Sequence, residues 1–201
     1  MDNVRASLAS ACTDLSADSE ALILVDESDR EVGHLSRALC HAGGGVLHRA
    51  FSLHIINDSG ELLLQRRAPS KRLWPLYWSN SCCSHPRRNE PIDSAIHRRL
   101  DEELGIRCSL RYLFKFQYQA QYGSAGAENE LCSVYVGRYT GTPKINRSEI
   151  DSWRWVPAQA LQEEMTGGAA SSFTPWFKLE WDRIWRDHRG ELDALESQAG
   201  V

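Results

Sequence analysis

Two histidines, His41 and His48, close the ends of a glycine-rich run, His41-Ala-Gly-Gly-Gly-Val-Leu-His48. A third, His85, sits in Asn80-Ser-Cys-Cys-Ser-His-Pro86. Glu128 and Glu130 are one residue apart, and in an extended segment alternate side chains share a face, so both carboxylates point the same way. Imidazole nitrogens and carboxylate oxygens in this mixture suit Mg2+, Mn2+ or Zn2+ and favour six-coordination. Taken singly, each of these histidines is an ordinary surface or hydrogen-bonded residue. Cys83 precedes His85 by two residues, and a thiol so placed can be tuned by nearby charge. His34, His54 and His97 match no pattern and are read as structural; Cys40, Cys108 and Cys132 are read as small buried apolar residues.

These groups need rigid elements to hold them. Ala21–Val25 reads as a strand followed by a turn, and Glu31–Leu39 as a strand end entering a short helix. The 41–48 run is a flexible loop, because three glycines give it no structure of its own. Arg49–Asn57 and Glu61–Arg67 flank Asp58-Ser59-Gly60 and form a hairpin. Pro91–Leu104 is a helix: Ile92, Ala95, Ile96 and Leu100 recur at helical spacing, and Gly105 stands where a C-terminal cap belongs. Tyr112–Tyr122 and Leu131–Tyr139 read as strands joined through 123–130, Trp153–Val156 as a short strand, and Ala158–Glu164 and Pro175–Leu195 as helices. Residues 80–89 show no regular period. Strands and hairpins around one helix indicate an α+β sandwich, a mixed sheet flanked by helices, rather than a doubly wound sheet. The expected layout is a loose leader at 1–20, one domain at 21–195 and a tail at 196–201.

The helix carries the clearest pattern. Ser84, Glu90, Arg98-Arg99-Leu100, Glu102-Glu103 and Gly105-Ile106 follow the spacing of the Nudix box, G-x5-E-x7-R-E-U-x-E-E-x-G-U, in degraded form. Serine replaces its first glycine, and Arg99 replaces the glutamate that normally helps gather metal for hydrolysis. Around it stand Arg67-Ala-Pro-Ser-Lys71, Trp74-Pro75, the Cys-Cys-Ser-His-Pro run, Glu128-Asn-Glu130 and Thr174-Pro-Trp-Phe177. From about Leu22 to about Trp185 the chain therefore resembles the type I isopentenyl-diphosphate isomerases, a branch of the Nudix fold.

The resemblance implies a cage of His41, His48, His85, Glu128 and Glu130 around one Mn2+, Mg2+ or Zn2+. It implies Cys83, rather than Cys82, and Glu130 as the acid/base pair. Interconverting isopentenyl and dimethylallyl diphosphate adds a proton at C4 and removes one from C2 through a tertiary carbocation, so two such groups on opposite faces are needed. In this reading Glu130, assisted by Tyr118, supplies a proton and Cys83 as thiolate removes one. Trp176 lays its ring over the cation, and Trp74 and Trp78 help close the site. Arg37, Arg67, Lys71 and Arg87 meet the diphosphate, with a second Mg2+ held by Glu103 and the phosphate oxygens.

Composition sets the outer limits. The chain has 201 residues, 42% hydrophobic and 25% charged, with a net charge of −4. This suits one globular domain, and an acidic balance argues against a nucleic-acid surface. No apolar run approaches a membrane span, and the first residues carry no export signal. The cysteines are accordingly expected to be reduced and the protein to be a cytoplasmic monomer acting on a small prenyl diphosphate. The rivals are a Nudix pyrophosphohydrolase, which Arg99 weakens, and a non-catalytic metal module, which leaves Cys83 and Trp176 without a role.

Overall fold

The structure, a computed structural model, describes residues 21–197; the leader at 1–20 and the last four residues of the tail lie outside them. Its organising element is β3 (His48–Ile56), in which every residue except Arg49 is buried. A strand rich in Phe, Leu and Ile with no solvated face needs cover on both sides and partners on both edges. β3 pairs antiparallel with β1 (Ala21–Val25), β4 (Glu61–Arg67) and β6 (Cys82–Ser84), and parallel with β8 (Gly126–Arg138). β2 (Glu31–Ser36) lies outside β1, β5 (Trp78–Ser79) and β9 (Ile150–Pro157) pair with β4, and β7 (Leu110–Tyr122) pairs with β8.

Each face of this mixed sheet carries its own core. On one face α2 (Ile92–Leu104) sets Ala95, Ile96, Leu100 and Leu104 against Phe51, Leu53, Ile55 and Leu63. Their i, i+4 spacing makes one apolar stripe, and Gly105, at φ 62°, ends the helix in the left-handed conformation that glycine tolerates. On the other face α4 (Pro175–Asp187) packs Trp176, Phe177, Trp181 and Ile184 over Ala50, Cys132, Val134 and Phe114. α1 (Arg37–Cys40), α3 (Ala158–Thr166) and α5 (Arg189–Ser197) complete the helices of the described residues. None of these helices is long and apolar enough to cross a membrane, and the five described cysteines are free. The expected mixed sheet flanked by helices is the fold observed.

Several boundaries differ from expectation. The second long strand begins at Gly126 rather than Leu131, because pairing with β7 continues to Tyr122↔Gly126 and overrides the polar composition. The aperiodic 80–89 run contains β6, a strand too short to show a period. The C-terminal helix is broken at His188, and α5 carries the chain to Ser197, past the expected domain end at 195. The 41–48 loop is held rather than loose. Val46 donates to the Cys40 carbonyl at 2.8 Å and the Gln119 amide to the Gly44 carbonyl at 2.6 Å.

That docking is closest at Gly126. A Cβ added there would lie 2.1 Å from the His41 carbonyl oxygen, and its φ of 141° is one L side chains rarely adopt. Gly126→Ala should therefore cost about 2 kcal/mol or more. That corresponds to a fall of roughly 4–8 °C in Tm for a chain of this size, read by thermal unfolding. An unchanged melting curve would contradict the His41–Gly126 approach.

Candidate active site

Strand register brings distant residues together. In the parallel ladder His48 is opposite Glu130, and in the antiparallel one Tyr118 is opposite Glu130. On the other edge of β3, Cys83 is opposite Ser52. Side chains directly opposite share a face, so His48, Ser52, Cys83, Tyr118, Glu128 and Glu130 all point to the α4 side. Cys82 points the other way, into the core under α2. His41 arrives at the end of α1, and His85 just after β6.

The five predicted cage residues converge: one ligand atom from each of His41, His48, His85, Glu128 and Glu130 lies within 4.8 Å of all the others. An octahedral ion with bonds of about 2.1 Å spans about 4.2 Å between opposite ligands, so the set fits a six-coordinate cation. Two details favour a cation over a hydrogen-bonded cluster. His48 Nε2 and His85 Nε2 face each other at 3.1 Å, and the buried His41 Nε2 lies 2.8 Å from Glu128 Oε2 without hydrogen-bond geometry. His48 Nδ1 donates to the Val46 carbonyl at 2.7 Å, which turns its Nε2 lone pair inward.

The charges in this cluster are strongly biased. Burial pushes the Glu130 carboxyl up, but hydrogen bonds from His48 and His85 outweigh it and hold the group well below the usual carboxylate range. Burial pushes His48 down, and its bond to Glu130 more than reverses this. At His85 burial wins, and the imidazole falls to about 3. Burial also raises Tyr118 well above its ordinary value, and its hydroxyl donates to Glu130 Oε2 at 2.7 Å.

Cys83 is half-buried and shares a narrow cleft with His85, Tyr118, Glu130 and Trp176. Burial pushes its thiol up to about 12; Arg67 pulls it down, and Glu103, Glu180 and Glu130 push it further up. The Trp176 indole N–H donates to Ser79 Oγ at 3.1 Å and to Asn80 Oδ1 at 3.3 Å, and the ring is tilted against Tyr118 with centroids 6.2 Å apart. Trp74 meets Trp176 edge-on at 5.3 Å. Trp78 does not close the cleft; it lies under the Arg154 guanidinium at 4.5 Å.

The cations sit mostly at the mouth. A cavity of about 400 Å³ above the cleft is lined by Arg37, His41, Arg67, Lys71, Arg72 and Glu149 among others. Arg67 donates to the carbonyls of Trp74 and Leu73 at 3.0 and 2.9 Å, and lies 5.2 Å from the Trp176 ring centroid. Arg87 is exposed and lines a smaller hollow that shares Arg37, Ser84 and His85 with the cleft. Glu103 is 3% exposed and accepts from Arg99 Nε at 3.1 Å. Arg99 also reaches Glu149, which pairs with Lys71; these two cations outweigh burial and hold Glu149 at about 2. Sequence reasoning missed Glu149 and the Asn80–Ser79 cradle. Nothing at Glu149 signals its role: the backbone bond from Ala68 N–H to the Glu149 carbonyl, 2.9 Å, brings it to the site.

A helix carrying the Glu102-Glu103 pair, laid on a mixed sheet whose other face holds the candidate cation cage, is consistent with a NUDIX domain, and that family's pattern matches residues 46–177. Isopentenyl-diphosphate Delta-isomerase 1 of Photorhabdus laumondii is 43% identical, over 86% of this chain and 99% of its own length. The Burkholderia multivorans isopentenyl-diphosphate Delta-isomerase is 41% identical over 82% of this chain and 92% of its own. The chain belongs to the family of isopentenyl-diphosphate Delta-isomerases. Among solved structures, DR0079 from Deinococcus radiodurans superposes with a TM-score of 0.69 at 25% identity, covering 83% of this chain and all of its own.

The cage predicts a proton-coupled metal site. Protein stripped with a chelator should bind one Mn2+ per chain, and His85→Ala should weaken binding by at least about 10²-fold. A raised His48 value favours its protonated form, so protons compete with the ion and affinity is lost as pH falls, beginning above the ordinary imidazole value of about 6.5. Calorimetric titration in buffers of different ionisation enthalpy reads both quantities. Affinity that stays flat from about pH 8 to about pH 6 would contradict the site.

Proposed function

We propose that this chain interconverts isopentenyl diphosphate and dimethylallyl diphosphate, with Cys83 and Glu130 as its acid/base pair. The observation that carries the reading is one cleft holding a thiol, a carboxylate bonded to a buried phenol, and a tryptophan face, beneath a mouth lined by cations. The named relatives support the same activity. Proton addition at C4 and removal at C2 needs two groups acting across a short carbon chain. In the cleft Cys83 comes from one edge strand of β3 and Glu130 from the other.

Their resting protonation is compatible with one choice of directions. Burial keeps the Cys83 proton on sulfur, and the histidines keep Glu130 ionised. Starting from isopentenyl diphosphate, Cys83 then gives the proton to C4 and Glu130 takes the one from C2; the reverse reaction exchanges the roles. This reverses the direction expected from the sequence and keeps the pair. The Tyr118 hydroxyl, bonded to Glu130 Oε2, steadies the carboxylate. The Trp176 ring offers its face to the tertiary cation, an interaction worth about 2 kcal/mol when desolvated. It also helps exclude water, which would trap the cation as an alcohol.

A divalent ion held by His41, His48, His85, Glu128 and Glu130 supplies fixed positive charge that keeps Glu130 ionised, and a Mg2+ bound with the substrate neutralises its diphosphate. Glu103, whose Oε1 accepts from Arg99, would offer its other carboxylate oxygen to that Mg2+. Arg67, Lys71 and Arg37 offer charge at the mouth. Arg87, exposed in a hollow that adjoins the cleft through Arg37, Ser84 and His85, can reach a diphosphate only from that side.

Incubation with isopentenyl diphosphate and Mg2+, followed by NMR, should show dimethylallyl diphosphate without inorganic phosphate. Phosphate release matching substrate loss would instead identify a hydrolase. Cys83→Ala and Glu130→Gln should each lose about 10²–10⁴-fold in kcat, whereas Cys82→Ala, on the opposite sheet face, should retain most activity. An inactive Cys82→Ala beside an active Cys83→Ala would reverse the assignment.

A further inference from the structure

The face of β3 that carries His48 also carries His54, six residues further along the strand. His54 is 1% exposed, and its Nε2 donates at 3.0 Å to Oε2 of Glu180, which is fully buried on α4. Neither residue lines the reaction cleft. Around the pair, the Cys132 thiol lies 3.9 Å from Glu180 Oε1 and 3.5 Å from Ser52 Oγ, and the Phe177 ring packs on His54 with centroids 5.8 Å apart. A buried imidazole–carboxylate pair contributes little net stability, since desolvation offsets the attraction. It is strict about geometry, because displacing either partner leaves a buried polar group unpaired.

That geometry bears on the helix above. Glu180 follows Trp176 by four residues, so both lie on one face of α4. The helix start has no side-chain cap; the Thr174 hydroxyl is instead within 2.9 Å of Ser79 Oγ. The Trp176 ring is hydrogen-bonded at its Nε1 edge and packs against Trp74 and Tyr118, so a rotation of α4 would move it against both contacts. We infer that His54 and Glu180 are positioning residues that fix the rotation and height of α4 and so hold the Trp176 ring over the reacting carbons. The inference rests on the isomerase reading only for what Trp176 does there. β3 thereby supports the cage through His48 and the ring through His54, and references both to one backbone.

The test uses full-length protein with 15N-labelled tryptophan, the Trp176 indole N–H signal being assigned with Trp176→Phe. In Glu180→Leu, with metal content retained, that signal should move while those of Trp153 and Trp155 in β9 stay in place. Its kcat should fall by about 10–10²-fold, with KM for isopentenyl diphosphate within about threefold of the parent because the mouth is untouched. Glu180→Gln, which keeps a hydrogen bond to His54, should restore both the signal and kcat. The double variant His54→Leu/Glu180→Leu leaves no unpaired polar group and guards against a folding defect. It should still show the displaced signal and low kcat, because an apolar contact does not fix direction. A folded double variant with the parental signal and kcat overturns the inference, as does Glu180→Gln impaired as much as Glu180→Leu. If the parent does not turn over isopentenyl diphosphate, the isomerase reading fails, and the indole signal still decides the positioning role.

Discussion

The register of β3 against its neighbours is the constraint on which the site depends. A one-residue slip in a ladder exchanges the two faces of a strand. Slipping β8 against β3 would carry Glu128 and Glu130 away from His48 and into the apolar core under α2. Slipping β6 would exchange Cys83 for Cys82 in the cleft. The apolar residues enforce the register: Phe51, Leu53 and Ile55 fit only under α2, and Ala50, Cys132 and Val134 fit only under α4. The packing that stabilises the fold thus also selects which polar side chains meet.

Within that frame burial pushes two neighbouring acids the same way, and their partners give opposite outcomes. It keeps the Cys83 proton on its thiol, with only Arg67 opposing, while two imidazoles overcome it at Glu130. Titratable groups pushed apart by their surroundings are the usual basis of paired acid/base chemistry near neutral pH. Here the separation arises because His48 and His85 bond to Glu130, whereas Arg67 is the cation that bears on Cys83. The Lys71–Glu149–Arg99–Glu103 series at the mouth is a separate electrostatic unit. Within it two carboxylates offset two cations.

Much of this was readable in the residues. The Glu128-Asn-Glu130 alternation does put both carboxylates on one face, and Gly105 does end the helix. His41, His48 and His85 could be joined into one cage only through the family resemblance, because nothing local in the chain says that they meet. Where the reading failed, tertiary contacts had overridden local pattern. Glycine content suggested a loose 41–48 loop, but Gln119 and Gly126 hold it in place. Continuous helical spacing over 175–195 hid the break at His188. His54 was read as structural, and its partner lies 126 residues away. Glu149 gave no sign at all. Long-range pairs of this kind are what one sequence conveys least.

The parallel pairing of β3 with β8 has a kinetic consequence. His48 and Glu130 are brought together only when a loop of about 80 residues has closed, and such non-local pairing is slow to form. The hairpins and α2 can assemble from near neighbours well before this. The cage therefore comes into being at the last stage of folding, and a chain still searching for its sheet has no complete set of ligands to offer. An ion captured by the finished cage binds the native chain and not its precursors, so it holds the slowest contact closed and adds its binding free energy to the fold. A metal concentration above its dissociation constant would then raise the folded fraction as well as the active one.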